Sequence, residues 1–183
     1  MKFLDIFNPI QKGDFGLTDE SIYASLQNGG NLIPLWGGNS EHKSIARMIS
    51  VNTKTKSGSP ITIFSGEGII ISLDGSAGCM TYKKGEAFAL NHHAGFITVR
   101  AGQEKVISPE YFALFFKRFY TELSVSDGSK TLSLEQIYSE AIHIPAYNAQ
   151  CKVVEIVSPL LEKLDRLVCL KQDLEVLLSR ELE

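Results

Sequence analysis

The chain has 183 residues, 44% hydrophobic and 21% charged, which suits one domain with a real core and excludes global disorder or two ordinary domains around a large cleft. Eighteen basic residues against 21 acidic ones give a net charge of −3, so a strongly basic nucleic-acid coat protein is excluded while a local basic patch is not. No apolar run approaches the ~18 residues of a membrane span. The opening MKFLDIFNPIQKG lacks the basic and apolar regions of a signal peptide, so a cytoplasmic location is expected.

The chain opens with an apolar patch, Phe3, Leu4, Ile6, Phe7 and Ile10, stopped by Gly13 and Gly16. Thr18 followed by Asp19 and Glu20 predicts a helix start, a capping hydroxyl with acids that suit the helix dipole, and Asn28-Gly29-Gly30 predicts its end. A short strand is expected over 31–36 and a second over 45–51. The run Thr53-Lys54-Thr55-Lys56-Ser57-Gly58-Ser59-Pro60 has no apolar residue and reads as a solvated loop or hairpin tip. Short β-branched or aromatic runs at 61–64, 68–73, 79–82, 87–90 and 95–100, each bounded by turn residues, suggest an irregular, largely antiparallel sheet. Ser108-Pro109-Glu110 predicts a helix over 109–120 that buries Tyr111, Phe112, Leu114, Phe115, Phe116 and Phe119. A turn at 127–130, a capping box at Ser133–Gln136 and a last strand at 141–145 complete this part.

The composition changes near Ala146. Residues 147–183 contain no glycine and carry one sustained helical pattern. Val153, Val157, Leu160, Leu164, Leu167, Lys171, Leu174 and Leu178 are spaced alternately four and three apart, a heptad seam with one polar member. With Asn148 as a cap, a helix over 149–182 would be ~50 Å long at ~1.5 Å per residue, longer than a small domain is wide. Part of it should project and need a partner. The alternative is a helix folded back on its own domain. Pro159, preceded by Ser158, should kink this helix or start a second one. The expected class is therefore α+β: an irregular mixed or antiparallel sheet domain with flanking helices (1–146), then a long coiled-coil-like helix (147–183).

Motifs for catalysis are scarce. There is no P-loop, and in Gly66-Glu67-Gly68 the acid would repel a pyrophosphate. Asp74-Gly75-Ser76-Ala77-Gly78 lacks the G-x-S-x-G spacing and a following helix, so a tight turn is the better reading of Ser76. His92 and His93 follow Asn91 in a polar turn; adjacent histidines on a strand point to opposite faces and do not easily share one metal, and His42 and His143 show no ligand spacing. Cys79, Cys151 and Cys169 form no C-x-x-C pair and read as reduced apolar fillers. No metal, cofactor or enzymatic activity is expected. What remains is charge. Residues 42–105 hold eight basic residues against four acidic ones, interleaved with Asn, Ser, Thr, His and Tyr, a mixture that suits phosphate neutralisation with hydrogen bonds to base edges. An ordinary solvated surface would look the same.

The order of features resembles one half of the specificity subunit of a type I restriction–modification enzyme, one target-recognition domain followed by one spacer helix. The resemblance is carried by Ile10-Gln11-Lys12-Gly13, Ile33-Pro34-Leu35-Trp36-Gly37-Gly38-Asn39 and Ile70-Ile71-Ser72-Leu73-Asp74-Gly75-Ser76-Ala77-Gly78. It continues through Pro109-Glu110-Tyr111-Phe112, Asp127-Gly128-Ser129-Lys130, Ile142-His143-Ile144-Pro145, Gln150 and the leucine-rich helix. It implies sequence-specific binding of double-stranded DNA, one domain reading one half of a bipartite site. It also implies docking of DNA methyltransferase subunits and, for restriction, of nuclease subunits. The usual subunit carries two recognition domains and two spacers, and this chain carries one of each. Two copies are therefore expected to associate as a twofold homodimer through Val153, Val157, Leu160, Leu164, Leu167, Leu174 and Leu178.

For the DNA contacts the resemblance and the charge pattern select Lys12, Lys43, Lys54, Lys56, Lys83, Lys84 and Lys130 at phosphates. Asn39, Arg47 and His93 are expected at base edges, with Ser76 and Ser129 beside them. The glycine turns Gly37-Gly38 and Gly75–Gly78 would let backbone approach the duplex. A specificity module of a methyltransferase–nuclease fusion fits the same features. Two other classes stay open: a protein-interaction module that oligomerises through its C-terminal helix, and a small hydrolase using Ser76 or Asp74.

Overall fold

A computed structural model describes residues 1–27, 29–38, 47–127 and 129–181, without side-chain placement at 126–129 and 176–181. The chain divides into two units, Met1–Ile144 and Pro145–Glu183. The fold is α+β, as expected.

The first unit holds two four-stranded sheets. One has the order β1 (Gln11–Lys12), β8 (Ala94–Ile97), β5 (Gly68–Ser72), β6 (Met80–Lys83), with every pairing antiparallel. The other runs β3 (Arg47–Ser50), β2 (Leu32–Trp36), β7 (Phe88–Leu90), β4 (Ile63–Phe64). Its β2–β7 pair is parallel, with Leu35 opposite Ala89 and Trp36 opposite Leu90. A hairpin, β9 (Val125–Asp127) and β10 (Ser129–Thr131), takes in the turn expected at 127–130.

Strand periodicity sorts the side chains into three cores. Ile69 and Ile71 of β5 and Ile97 of β8 face helices α1 (Phe3–Ile6), α3 (Pro109–Leu123) and α4 (Leu134–Ser139), among Phe3, Phe7, Phe112 and Ile137. Ile70, Ala94 and Phe96 face the other way, against Phe64, Phe88, Leu90 and Trp36 of the second sheet. The far face of that sheet, Ile33, Leu35, Ile49 and Ala89, takes Ile22 of helix α2 (Asp19–Gln27). Because β5 is covered on both faces, all five of its residues are buried, which explains its continuous Ile-Ile-Ile run.

The caps form as read. Ser108 Oγ accepts from the Tyr111 N–H, with Pro109 in the first turn. Ser133 Oγ accepts from the Gln136 N–H at 3.1 Å while Gln136 Oε1 accepts from the Ser133 N–H at 2.9 Å. Helix α3 runs to Leu123, three residues beyond the expected end. Phe115 and Phe119, expected inside, are exposed, because Phe112, Ala113 and Tyr120 take the core face of the helix. The expected strand at 141–145 is only a bridge from Ala141 to Lys2. Its partner turns into α1 at Phe3, and Pro145 has no N–H to extend a ladder.

The second unit is one helix, α5 (Tyr147–Glu181), of 35 residues. It begins one residue before the expected cap Asn148. The Ala149 and Gln150 N–H groups both donate to Ala146 O, and Gln150 Nε2 donates to Pro145 O at 2.8 Å. Pro159 lies within it and does not divide it, contrary to the expected restart at Ser158. A proline removes one backbone bond, and the remaining turns of a long helix carry the element past it. Among the described residues no helix is long and apolar enough to cross a membrane.

Candidate nucleic-acid interface

The two sheets bring five backbone segments to one rim. Strand β2 ends at Trp36 and continues into Gly37-Gly38, its parallel neighbour β7 leads into Asn91, and β5 runs on into Leu73-Asp74. Antiparallel β8 begins there, and β1 ends beside it at Lys12. Backbone bonds tie these segments together. Asn91 N–H donates to Trp36 O at 3.0 Å, Leu73 N–H to His93 O at 2.8 Å, and Ser76 N–H to Gly38 O at 2.9 Å. Hairpin β9–β10 joins through the Gly75 N–H to Lys130 O bond and the Asp74–Thr131 bridge. Asp14 joins through its bridge to Asn91 and by accepting two bonds from Thr62.

Two glycines here are required by shape. A side chain at Gly38 would place its Cβ 2.3 Å from Asp74 O and 3.2 Å from His93 Cβ. Gly78 has φ +85°, and a Cβ there would lie 2.3 Å from the Thr121 N of α3. The turn at Asp74–Gly78, read from the sequence as tight, is therefore pinned on both sides.

His93 stands at the centre of this rim. Its Nδ1 lies 2.9 Å from Asp74 Oδ2, and its backbone N–H donates to Asn91 Oδ1 at 3.0 Å. His92 and His93 occupy a turn, as read from the sequence. Their rings lie 3.7 Å apart instead of on opposite faces, and Phe15 meets His92 edge-on at 4.7 Å. Burial, His93 and Lys12 hold the His92 pKa below the ordinary imidazole value, against the opposing pull of Asp74. Phe15, 78% exposed, is a rim residue that sequence reasoning missed. Its signal was an aromatic inside a glycine turn.

The selected cations divide into two groups. Arg47 forms an ion pair with Asp19 at the start of α2. Lys84 lies 3.9 Å from Glu67, which also accepts from the Tyr82 hydroxyl at 2.5 Å. Lys83 Nζ sits 4.2 Å over the Trp36 ring, and burial lowers its pKa against the pull of Glu86. Lys83 also pairs with Gly68, at the end of β5 away from Asp74. Among the described residues no carboxylate pairs with Lys12, Lys54, Lys56 or Lys130. These four border the rim. Lys12 ends β1, the Lys56 N–H donates to Gly16 O beside Phe15, Lys54 shares that loop, and Lys130 bonds Gly75. Asn39 and Lys43 lie outside the described residues, and the side chain of Ser129 does too.

Nothing among the described residues completes a catalytic constellation. No hydrogen bond joins the Ser76 hydroxyl to His93, and no group of three His, Cys, Asp or Glu is placed to hold a metal ion. Among the described residues no disulfide joins the three cysteines. Cys79 is buried, while Cys151 and Cys169 are exposed and so are not the buried fillers expected.

On α5 the predicted seam is open. Leu160, Leu164, Leu167 and Leu174 are each more than half exposed, Val153 and Val157 are partly exposed, and the Leu178 side chain lies outside the described residues. Ile156, Val168 and Leu170 are also exposed and widen the ridge beyond the heptad positions.

A family model for the type I restriction modification DNA specificity domain matches residues 13–175. The chain belongs to this family. Solved structures of similar fold include the S subunit of a type I restriction–modification system from M. genitalium, 14% identical with a TM-score of 0.63, covering 93% of this chain and 40% of that one. A chain from a structure of type I restriction–modification complex assembly and conformational transition is 13% identical, with a TM-score of 0.64 and coverage of 98% and 42%. The HsdS subunit from Thermoanaerobacter tengcongensis is 12% identical, with a TM-score of 0.60 and coverage of 91% and 38%. This specificity-domain chain thus spans about two-fifths of the length of those chains. No curated protein sequence matches it.

Proposed function

We propose that the first unit of this specificity-domain protein binds double-stranded DNA through the rim around Asp74 and His93 and reads one half of a bipartite site. Lys12, Lys54, Lys56 and Lys130 would neutralise phosphates, and the glycine turns at Gly37-Gly38 and Gly75 would admit the backbone of the duplex. The observation that carries this reading is the set of rim cations without carboxylate partners among the described residues, beside a partly exposed His-Asp pair. Arg47, Lys83 and Lys84 are given a secondary place, since each already has a partner within the fold.

Helix α5 is the proposed spacer. Its ridge supports twofold pairing with a second copy, which would hold two readers at a fixed separation and offer a docking surface to DNA methyltransferase subunits. Fully burying one leucine contributes ~1.5–3 kcal/mol, so covering the exposed leucines of two copies would favour association. Methylation mapping of the host genome, with the chain present and deleted, tests the role. The expected result is a bipartite adenine-methylation motif that disappears on deletion. A protein-interaction module would share the ridge, leave the methylation pattern untouched and show no salt-dependent duplex binding.

A further inference from the structure

We propose that His93 is a specificity-determining residue whose Nε2 accepts a hydrogen bond from the exocyclic amino group of an adenine or cytosine in the major groove. The inference rests on the DNA-reading role proposed above and gives that site its base chemistry.

A carboxylate accepts hydrogen bonds and donates none, so Asp74 Oδ2 at 2.9 Å fixes the proton of the neutral imidazole on Nδ1. Nε2 is then left as a bare acceptor, and no partner for it is found among the described residues. In the major groove the hydrogen-bond donors on base edges are the adenine N6 and cytosine N4 amino groups, whereas guanine and thymine present acceptors at the corresponding positions. An imidazole with a fixed tautomer therefore favours the first pair and meets lone pairs on the second.

The ring is also held in place. Its backbone N–H is bonded to Asn91 Oδ1, its ring centroid lies 3.7 Å from that of the tilted His92 ring, and Gly38 backs the Asp74–His93 pair at a distance no side chain would permit. Holding a polar group in one orientation before binding is what gives discrimination rather than mere affinity. The side chain is 42% exposed, so a base edge can reach it. The charged or titratable groups beside it are Asp74 on the β5–β6 turn and His92 on its own turn, and Lys12 at the end of β1 acts on His92.

The test uses the full chain and a pool of duplexes with a randomised segment, at about pH 8. The wild-type chain should enrich a motif with an adenine or cytosine at a position that His93→Ala relaxes by about 5- to 20-fold, the size of one specific base contact, while the other positions keep their preference. His93→Phe, which retains the ring packing on His92, should relax the same position and serves where alanine disturbs the fold. Replacing the base at that position with an analogue lacking the amino group should weaken wild-type binding by a similar factor and leave the His93 variants unaffected. A motif enriched identically by wild-type and variant chains overturns the assignment to His93 and leaves the DNA-reading role standing. A pool from which the wild-type chain enriches nothing overturns both.

Discussion

The rim of the first unit and the ridge of α5 both face solvent, and they differ in what the fold leaves undone. At the rim the backbone is tied by bonds between neighbouring turns, His93 is bonded to Asp74, and the surplus is positive charge on Lys12, Lys54, Lys56 and Lys130. On the ridge the backbone is satisfied within the helix and the surplus is apolar, leucines more than half exposed at four of the predicted seam positions. A surplus of charge beside hydrogen-bonding groups fits a polyanion with readable edges. A surplus of apolar area fits another helix. On the proposed reading the two regions would address partners of different chemistry, and each should be separable from the other by substitution.

The largest effect is expected on the ridge. Leu164→Asp with Leu167→Asp should weaken self-association by at least about 100-fold, because both side chains would be carried into an apolar contact in each copy. Sedimentation velocity should show a monomer whose first unit melts unchanged. Loss of folding along with association would join the two regions and break the comparison.

Next is the rim. Lys54→Ala with Lys56→Ala should weaken binding to every duplex sequence alike and reduce the slope of log affinity against log salt by about 2. Sedimentation of this variant should match the wild type. Unchanged binding across a salt series would remove that loop from the interface.

Smaller still is Arg47→Ala. Because Arg47 pairs with Asp19 on a solvent-exposed surface, its loss should cost at most ~1 kcal/mol of stability and change duplex affinity less than the paired lysine substitution does. A larger loss of binding would put Arg47 back among the base-reading residues.

The smallest effect concerns His92, whose pKa is depressed. The unfolded chain then takes up the proton more readily than the folded one. The neutral ring therefore contributes stability that is complete above the ordinary imidazole value of 6.5 and is lost as pH falls below it. Since His92 is partly exposed, His92→Gln should lessen the fall in Tm between about pH 7.5 and pH 5.5 by less than about 2 °C.

Much of the frame was legible because it follows from local chemistry. Ser108-Pro109 and Ser133–Gln136 cap helices by side-chain bonds that span three residues, and the heptad spacing of α5 requires only helical periodicity. The glycines at 75 and 78 have the positive φ that a tight turn demands. What could not be read depends on residues far apart in sequence. The Asp19–Arg47, Glu67–Lys84 and Trp36–Lys83 pairs decide which cations are engaged within the fold, and no spacing rule reveals them. The same holds for Asp74 and His93, which come together only because Leu73 bonds the His93 carbonyl across two strand ends. Phe115 and Phe119 misled through composition. An aromatic-rich helix has more apolar residues than its single buried face can take.

The most direct test is the arrangement of bases in duplexes selected by the intact chain. Two identical half-sites in inverted orientation, separated by one fixed number of base pairs, are expected from two readers held by a paired helix. A single half-site, or two at variable separation, would contradict it.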